Sequence, residues 1–269
     1  MPDVPVALTE PSARASYIIA HFWDAMDFCD TLRSHNSAFM EQNFSNFVSV
    51  FPYADEQAQR EAVSALLSKA AADAEAYRMV ASIAEDYLYD PNSPVFAEDT
   101  YLLFLEQMVN SAMLDDARAT RLKRQLRFVR LNRAGMTAAD FGYVTREGIR
   151  TRLSKTNSES RILLLFYDPD CEHCKEVMAE LSTSSLLERL VDEGKLKVVA
   201  IYADGDTELW RSTYNELPAS WTVGMDTGEI YERGLYSLRA MPTMYLLDAD
   251  KTVILKDVSI AHLVEYLSK

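Results

Sequence analysis

The apolar run Ile162-Leu163-Leu164-Leu165-Phe166-Tyr167 constrains the fold of this chain more than any other segment. A strand without polar alternation has to be covered on both faces, so it belongs inside a sheet with other elements packed on either side. The pattern then turns helical at Cys171-Glu172-His173-Cys174. A Cys-x-x-Cys at a strand-to-helix junction places one sulfur at the helix N-terminus and the other one turn further in. That arrangement suits reversible disulfide exchange.

The chain reads as two regions, 1–133 and 134–269. The first is helical throughout. Ile18, Phe22, Met26 and Cys29 mark one face of a helix over 12–29. Asp30-Thr31 starts a second helix towards Val50, with Phe39, Phe44 and Phe47 as its aromatics. Pro52 and Asp55 mark a turn and a new N-terminus. One long helix follows, with Val63, Leu66, Leu67, Ala70, Ala74, Tyr77, Ala81, Ala84 and Leu88 on one side. Asp90-Pro91-Asn92-Ser93-Pro94 breaks it, and two further helices are expected at 98–112 and 115–131.

In the second region, 141–145 and 149–153 predict a hairpin turning at Gly148, followed by a polar loop over 156–160. Strand 161–167 leads into a helix over 171–190 that turns Val177, Leu181, Leu186 and Leu190 inward. An apolar strand over 196–202 comes next, and strand, helix and strand in this order make a right-handed crossover with parallel strands. A helix at 207–217, a strand at Trp221-Thr222-Val223 and a short helix at 228–235 follow. A second hairpin then turns at Asp248-Ala249-Asp250-Lys251, and a helix over 259–267 ends the chain. The expected fold class is α + α/β, a helical bundle followed by a three-layer α/β domain with a central mixed sheet.

Composition narrows the function. A net charge of −14 argues against nucleic acid or an anionic membrane as the main partner. No apolar run reaches the roughly 18 residues a membrane span needs. The N-terminus, Met1-Pro2-Asp3-Val4-Pro5, lacks the basic and apolar regions of a signal peptide, though such a peptide is absent from any chain that has already lost it. Three cysteines are too few for a disulfide scaffold, and two of them form the close pair.

The thiolate is the nucleophile in disulfide exchange. A helix N-terminus, with about half a positive charge, favours it at Cys171, and a protonated His173 pushes the same way. Asp168, Asp170 and Glu172 oppose it as like charges. These four residues are therefore the expected tuning groups, and Cys171 should be a moderately activated thiol. Cys171 is the expected attacking residue and Cys174, one turn inside, the resolving one. A Cys-x-x-Cys is also half of a zinc site, which needs four ligands. The other candidates, Cys29, His21, His35, His173 and His262, show no second pair at ligand spacing, and no metal is expected.

The order strand, Cys-x-x-Cys helix, strand, helix, then Met241-Pro242-Thr243 leading into a hairpin and a last helix, resembles thioredoxin. The hairpin over 138–148 resembles the extension of the TlpA-like disulfide reductases of the bacterial envelope. The resemblance covers about 135–269. The front half is similar to the all-helical domain preceding such modules in some envelope lipoproteins. It implies a thioredoxin-like domain, a cis peptide before Pro242, and substrate binding along Met241 and Pro242. It also implies a thiol-disulfide oxidoreductase, of reductase or isomerase type, with no cofactor beyond the redox-active disulfide. The implied partners are a disulfide-containing protein substrate and an upstream electron donor. The implied location is the periplasm or envelope, with a lipid anchor on the full-length precursor as one form of it. The chain departs from thioredoxins in having Asp170 before the first cysteine, where they carry Trp, and Leu165 where they carry a buried acid. It departs from many TlpA-like proteins in having Val177 in place of Glu, with Glu176 displaced by one. Glu176 and Asp168 are the remaining candidates to take the proton of Cys174.

Other residues have plainer readings. Cys29 is expected as a core thiol beside Phe22 and Met26, with regulation of Cys171 as the alternative. His21 reads as a satisfied histidine. Arg118, Arg121, Lys123, Arg124, Arg127, Arg130 and Arg133 read as a solvated helix face, or as a docking face for an acidic module. Tyr87, Tyr89, Tyr101 and Phe104 read as core or domain contact. The rival functions are a binding or scaffold protein that captures a partner through its helical domain, and a metal chaperone using the cysteine pair.

Overall fold

The structure is a computed structural model that describes residues 2–156 and 159–269; Asn157 and Ser158 of the expected polar loop lie outside the described residues. The chain divides into two compact units, Met1–Val129 and Arg130–Lys269.

The first unit is built from helices α1 (Pro11–His21), α2 (Thr31–Ser34), α3 (Ser37–Val48), α4 (Glu56–Ala70), α5 (Ala74–Leu88), α6 (Glu98–Met108) and α7 (Asp116–Arg130). Their apolar stripes meet in one core that includes Ile19, Phe44, Phe47, Val63, Leu66, Ala84, Phe104 and Leu122. A chain of polar contacts joins three of them: the Tyr101 hydroxyl donates to Gln125 at 2.8 Å, Gln125 donates to Glu85 at 2.6 Å, and Arg121 pairs with Glu85 at 2.7 Å. Arg121 thus closes the bundle rather than standing on a purely solvated face. Tyr101 and Phe104 are fully buried and Tyr87 and Tyr89 pack against the same core.

Three helices expected here are shorter than their apolar patterns suggest. The one expected from Asp30-Thr31 towards Val50 splits into α2 and α3, because the Asn36 side chain accepts the Phe39 amide at 3.0 Å and starts a new helix. The helix over 12–29 stops at His21, and the segment after it buries Trp23 and Phe28, whose rings lie 5.9 Å apart. Residues five apart do not share a helical face, so burying both requires the turn. The turn leaves Cys29 exposed, which corrects the expectation of a core thiol. The long helix over 56–88 breaks at Asp73, whose carboxylate accepts from the Glu75 and Ala76 amides and from His35 Nε2 at 2.8 Å. A carboxylate that satisfies free first-turn amides starts a helix more favourably than it continues one.

The second unit holds one seven-stranded sheet among the described residues, in the order β2-β1-β5-β4-β3-β6-β7. The strands are β1 (Gly142–Thr145), β2 (Arg150–Arg152), β3 (Arg161–Tyr167), β4 (Leu196–Tyr202), β5 (Thr222–Asp226), β6 (Thr243–Leu247) and β7 (Val253–Lys256). Helices α8 (Glu172–Ser182), α9 (Ser185–Asp192), α10 (Thr207–Thr213), α11 (Glu229–Arg233) and α12 (Ile260–Leu267) complete it. β3 pairs parallel with β4 and antiparallel with β6, so the apolar run forms an inner strand of a mixed sheet.

Alternation along β3 supplies two cores. Leu163, Leu165 and Tyr167 face α8, α9, α10 and α12, whereas Ile162, Leu164 and Phe166 face Phe141, Ile230 and Tyr236. Each fully buried aliphatic or aromatic side chain contributes about 1.5–3 kcal/mol, which is why polar residues are kept out of this strand. The result is the three-layer α/β arrangement implied by the resemblance. The helix expected over 171–190 is interrupted: the Ser184 hydroxyl caps α9 through the Leu187 amide. The interruption moves Leu187 into the buried position, with Leu186 and Leu190 beside it only partly covered.

Candidate active site

Cys171 is the N-cap residue of α8, and its sulfur accepts the Cys174 amide N–H at 3.4 Å. The capping position is set from upstream: the Asp168 carboxylate accepts the Asp170 amide at 2.9 Å, and the Asp168 carbonyl accepts the Cys171 amide at 3.2 Å. This short turn ends β3 and leaves the sulfur at the N-terminal end of α8. The Cys171 thiol also lies 3.8 Å from the Met241 carbonyl, its hydrogen-bond acceptor. The Met241–Pro242 peptide is cis, and β6 begins at Thr243.

Cys171 is partly exposed and Cys174 buried, and both are free thiols. The Cys174 sulfur accepts the Asp168 amide N–H at 3.5 Å. Burial, the largest influence, pushes the Cys174 thiol up to about 12; the Asp168 amide works against the rise, and Cys171 and the Asp168 carboxylate add to it. One sulfur is therefore open and supplied with a hydrogen-bond donor, and the other is held protonated beneath it.

The other charged candidates separate into two groups. Glu172 is drawn to Lys175 at 2.6 Å and His173 lies 3.5 Å from Glu176, all four on the exposed face of α8. Glu176, 78% exposed at the side chain, is thereby directed to solvent and not to Cys174. Asp168 is half-buried and stays beside the cysteines, and Asp170 is exposed. A cavity of about 240 Å³ opens against Cys174, walled by Tyr167, Asp168, Pro169, Met178, Glu216 and Leu217 among others. Burial pushes the Tyr167 phenol well above its usual range, so it stays protonated.

Sequence reasoning missed the pair Arg239 and Asp257. Their charged groups lie 3.5 Å apart with side chains only 19% and 15% exposed. Arg239 precedes Met241 by two residues, and the amide following Asp257 donates to the Met244 carbonyl at 3.1 Å, so the pair sits at the base of the cis segment. The two are eighteen positions apart and meet only because β6 pairs with β7, so no local pattern signals them. Burial holds the Asp257 carboxyl above the usual carboxylate range. Among the described residues, no three His, Cys, Asp or Glu side chains gather as they would around a metal ion. No helix among them is long and apolar enough to cross a membrane.

No functionally curated protein matches this chain. Residues 1–132 match a family described as a domain of unknown function, DUF5106. A conserved protein of unknown function from Bacteroides fragilis is 43% identical, covering 50% of this chain and 98% of its own, with a TM-score of 0.48. The C-terminal domain of an uncharacterized protein from Bacteroides fragilis NCTC 9343 is 36% identical, covering 51% of this chain and 99% of its own, with a TM-score of 0.50. A thioredoxin-like protein from Bacteroides caccae ATCC 43185 matches end to end: 33% identity, 100% of this chain and 97% of that one, and a TM-score of 0.94. The chain belongs to the thioredoxin-like proteins.

Proposed function

We propose that this protein is a thiol-disulfide oxidoreductase acting as a reductase of protein disulfides in the bacterial envelope. The observation that carries this reading is the asymmetry of the pair: Cys171 is partly exposed and accepts an amide at 3.4 Å, while Cys174 is buried one turn behind it. The Cys171 thiolate attacks a substrate disulfide, and one substrate sulfur leaves as a thiolate that takes up a proton. Cys174 then gives up its proton and attacks the Cys171 sulfur. The mixed disulfide breaks, the Cys171–Cys174 disulfide forms, and the second substrate sulfur leaves as a thiol. Two electrons have passed to the substrate, and an upstream dithiol donor restores the pair. The cysteines carry the electrons, so no bound cofactor enters. Met241 and Pro242 border the sulfur and form the wall along which the substrate backbone lies. His173, Glu172, Asp168 and Asp170 tune the thiolate. The envelope location rests on the resemblance to TlpA-like proteins.

Reduction of an insulin-type disulfide substrate by the parent and by Cys171→Ser tests the proposal. Activity in the parent and its loss in the variant support it, and equal rates overturn it in favour of a scaffold role. A Cys174→Ser variant should accumulate a mixed disulfide, and the captured partner identifies the substrate.

A further inference from the structure

We infer that Asp168 receives the proton of Cys174 through the cavity that both residues line, an inference that rests on the redox reading of the pair. The resolving step needs a Cys174 thiolate, yet this sulfur is buried at 1% exposure. Behind it lies Leu165, fully buried in the apolar core, so β3 offers no acid at that position. On the other side Cys174 lines the 240 Å³ cavity. That space is far larger than the roughly 10–15 Å³ one water requires.

Each charged or titratable group facing Cys174 has a definable part. Lys175, on α8, is paired with Glu172 at 2.6 Å. Glu216 belongs to the 3-10 turn Tyr214–Glu216 across the cavity and is exposed. Tyr167, at the end of β3, is a neutral phenol raised by burial. Cys171 is the electrophile of the step. Asp168 remains, and it is placed on both counts: its amide N–H lies 3.5 Å from the Cys174 sulfur and the residue lines the same cavity. As the Cys174 S–H bond breaks, the proton passes by water to the Asp168 carboxylate. The amide N–H supports the thiolate while it attacks Cys171 and expels the substrate sulfur. That sulfur takes a proton from solvent, and Asp168 returns its own to solvent afterwards. The residue thus combines a fixed donor for the anion with an acceptor for its proton.

The test is stopped-flow release of thionitrobenzoate from 5,5′-dithiobis(2-nitrobenzoate) in a Cys29→Ser background. The fast phase reports attack by Cys171 and the slow phase reports resolution by Cys174. Asp168→Asn keeps the backbone amide and the side-chain oxygen that accepts from Asp170. It removes a like charge beside Cys171, so the fast phase should hold or quicken, while the second should slow about 10- to 100-fold at neutral pH, the range of a lost general base. Its slow phase should climb about tenfold per pH unit, because hydroxide becomes the acceptor, whereas the parent should be nearly flat between about pH 6 and 8. Asp168→Glu should stay within about threefold of the parent, and Glu216→Gln should match it. An unchanged or faster slow phase in Asp168→Asn overturns the inference and leaves the carboxylate as a repulsive charge only. If the parent shows no second phase, the redox reading itself fails, a distinct result.

Discussion

The amide of Cys174 points at the sulfur of Cys171 from 3.4 Å, within the first turn of α8. The buried cysteine thus supplies the exposed one with a hydrogen-bond donor before supplying it with a bonding partner. The side chain of the same residue is kept protonated by burial. The two sulfurs are made unequal by one turn of helix.

That inequality predicts the order of chemical labelling. Under native conditions a small alkylating reagent should modify Cys171 and Cys29 within minutes, since both are accessible. Cys174 should react only after unfolding. Mass spectrometry of digested protein reads the three sites separately, and native labelling of Cys174 at the rate of Cys171 would contradict the buried placement.

A second consequence concerns the titration of Cys174. Its thiol is pushed up to about 12, chiefly by burial. A double variant, Cys29→Ser with Cys171→Ser, isolates this group, and burial persists in it. Its thiolate absorbance near 240 nm should stay flat until the solution is strongly alkaline. The folded-state value is raised, so the stability this thiol contributes is complete below the ordinary cysteine range of about 8.5. It is lost as pH rises towards 12. A thiolate signal appearing near pH 8 would refute the assignment.

How much of this was legible follows from the kind of signal each feature leaves. β3 is covered on both faces, so every position from Ile162 to Phe166 is apolar and fully buried, and the run is unmistakable. Asp73 and Ser184 are different. Each caps a new helix where the apolar spacing runs on almost undisturbed, and one polar residue there looks like solvent face. Cys29 was misplaced for the complementary reason: its spacing from Met26 fits a helix, but burial of Trp23 and Phe28 ends that helix early. Arg239 and Asp257 are joined by strand pairing, which no local window contains.

The cap at Ser184 is open to a direct measurement. Ser184→Ala removes the hydroxyl that accepts the Leu187 amide at 3.4 Å. Loss of an N-cap side chain costs about 0.5–2 kcal/mol. The urea midpoint should fall accordingly with the slope unchanged, and Ser184→Asp should recover it. An unshifted midpoint in Ser184→Ala would mean that α9 is fixed by Leu187 alone.

Gly224 lies on β5 between β1 and β4, where a side chain has no room. An added Cβ would stand 2.6 Å from Cδ2 of the Tyr143 ring and 3.2 Å from the Val144 carbonyl oxygen. Tyr143 cannot swing away cheaply, because it is fully buried and its hydroxyl lies 2.7 Å from Thr156 Oγ1. Gly224→Ala should therefore destabilise the protein by about 1–3 kcal/mol, the usual range for overpacking. Replacing Tyr143 by Leu in the same chain should return part of the loss, since it removes the ring edge that the methyl meets. A double-mutant cycle in urea measures this coupling directly. If the two losses simply add, the Val144 carbonyl rather than the Tyr143 ring is the obstacle, and the strand must shift to admit the methyl group.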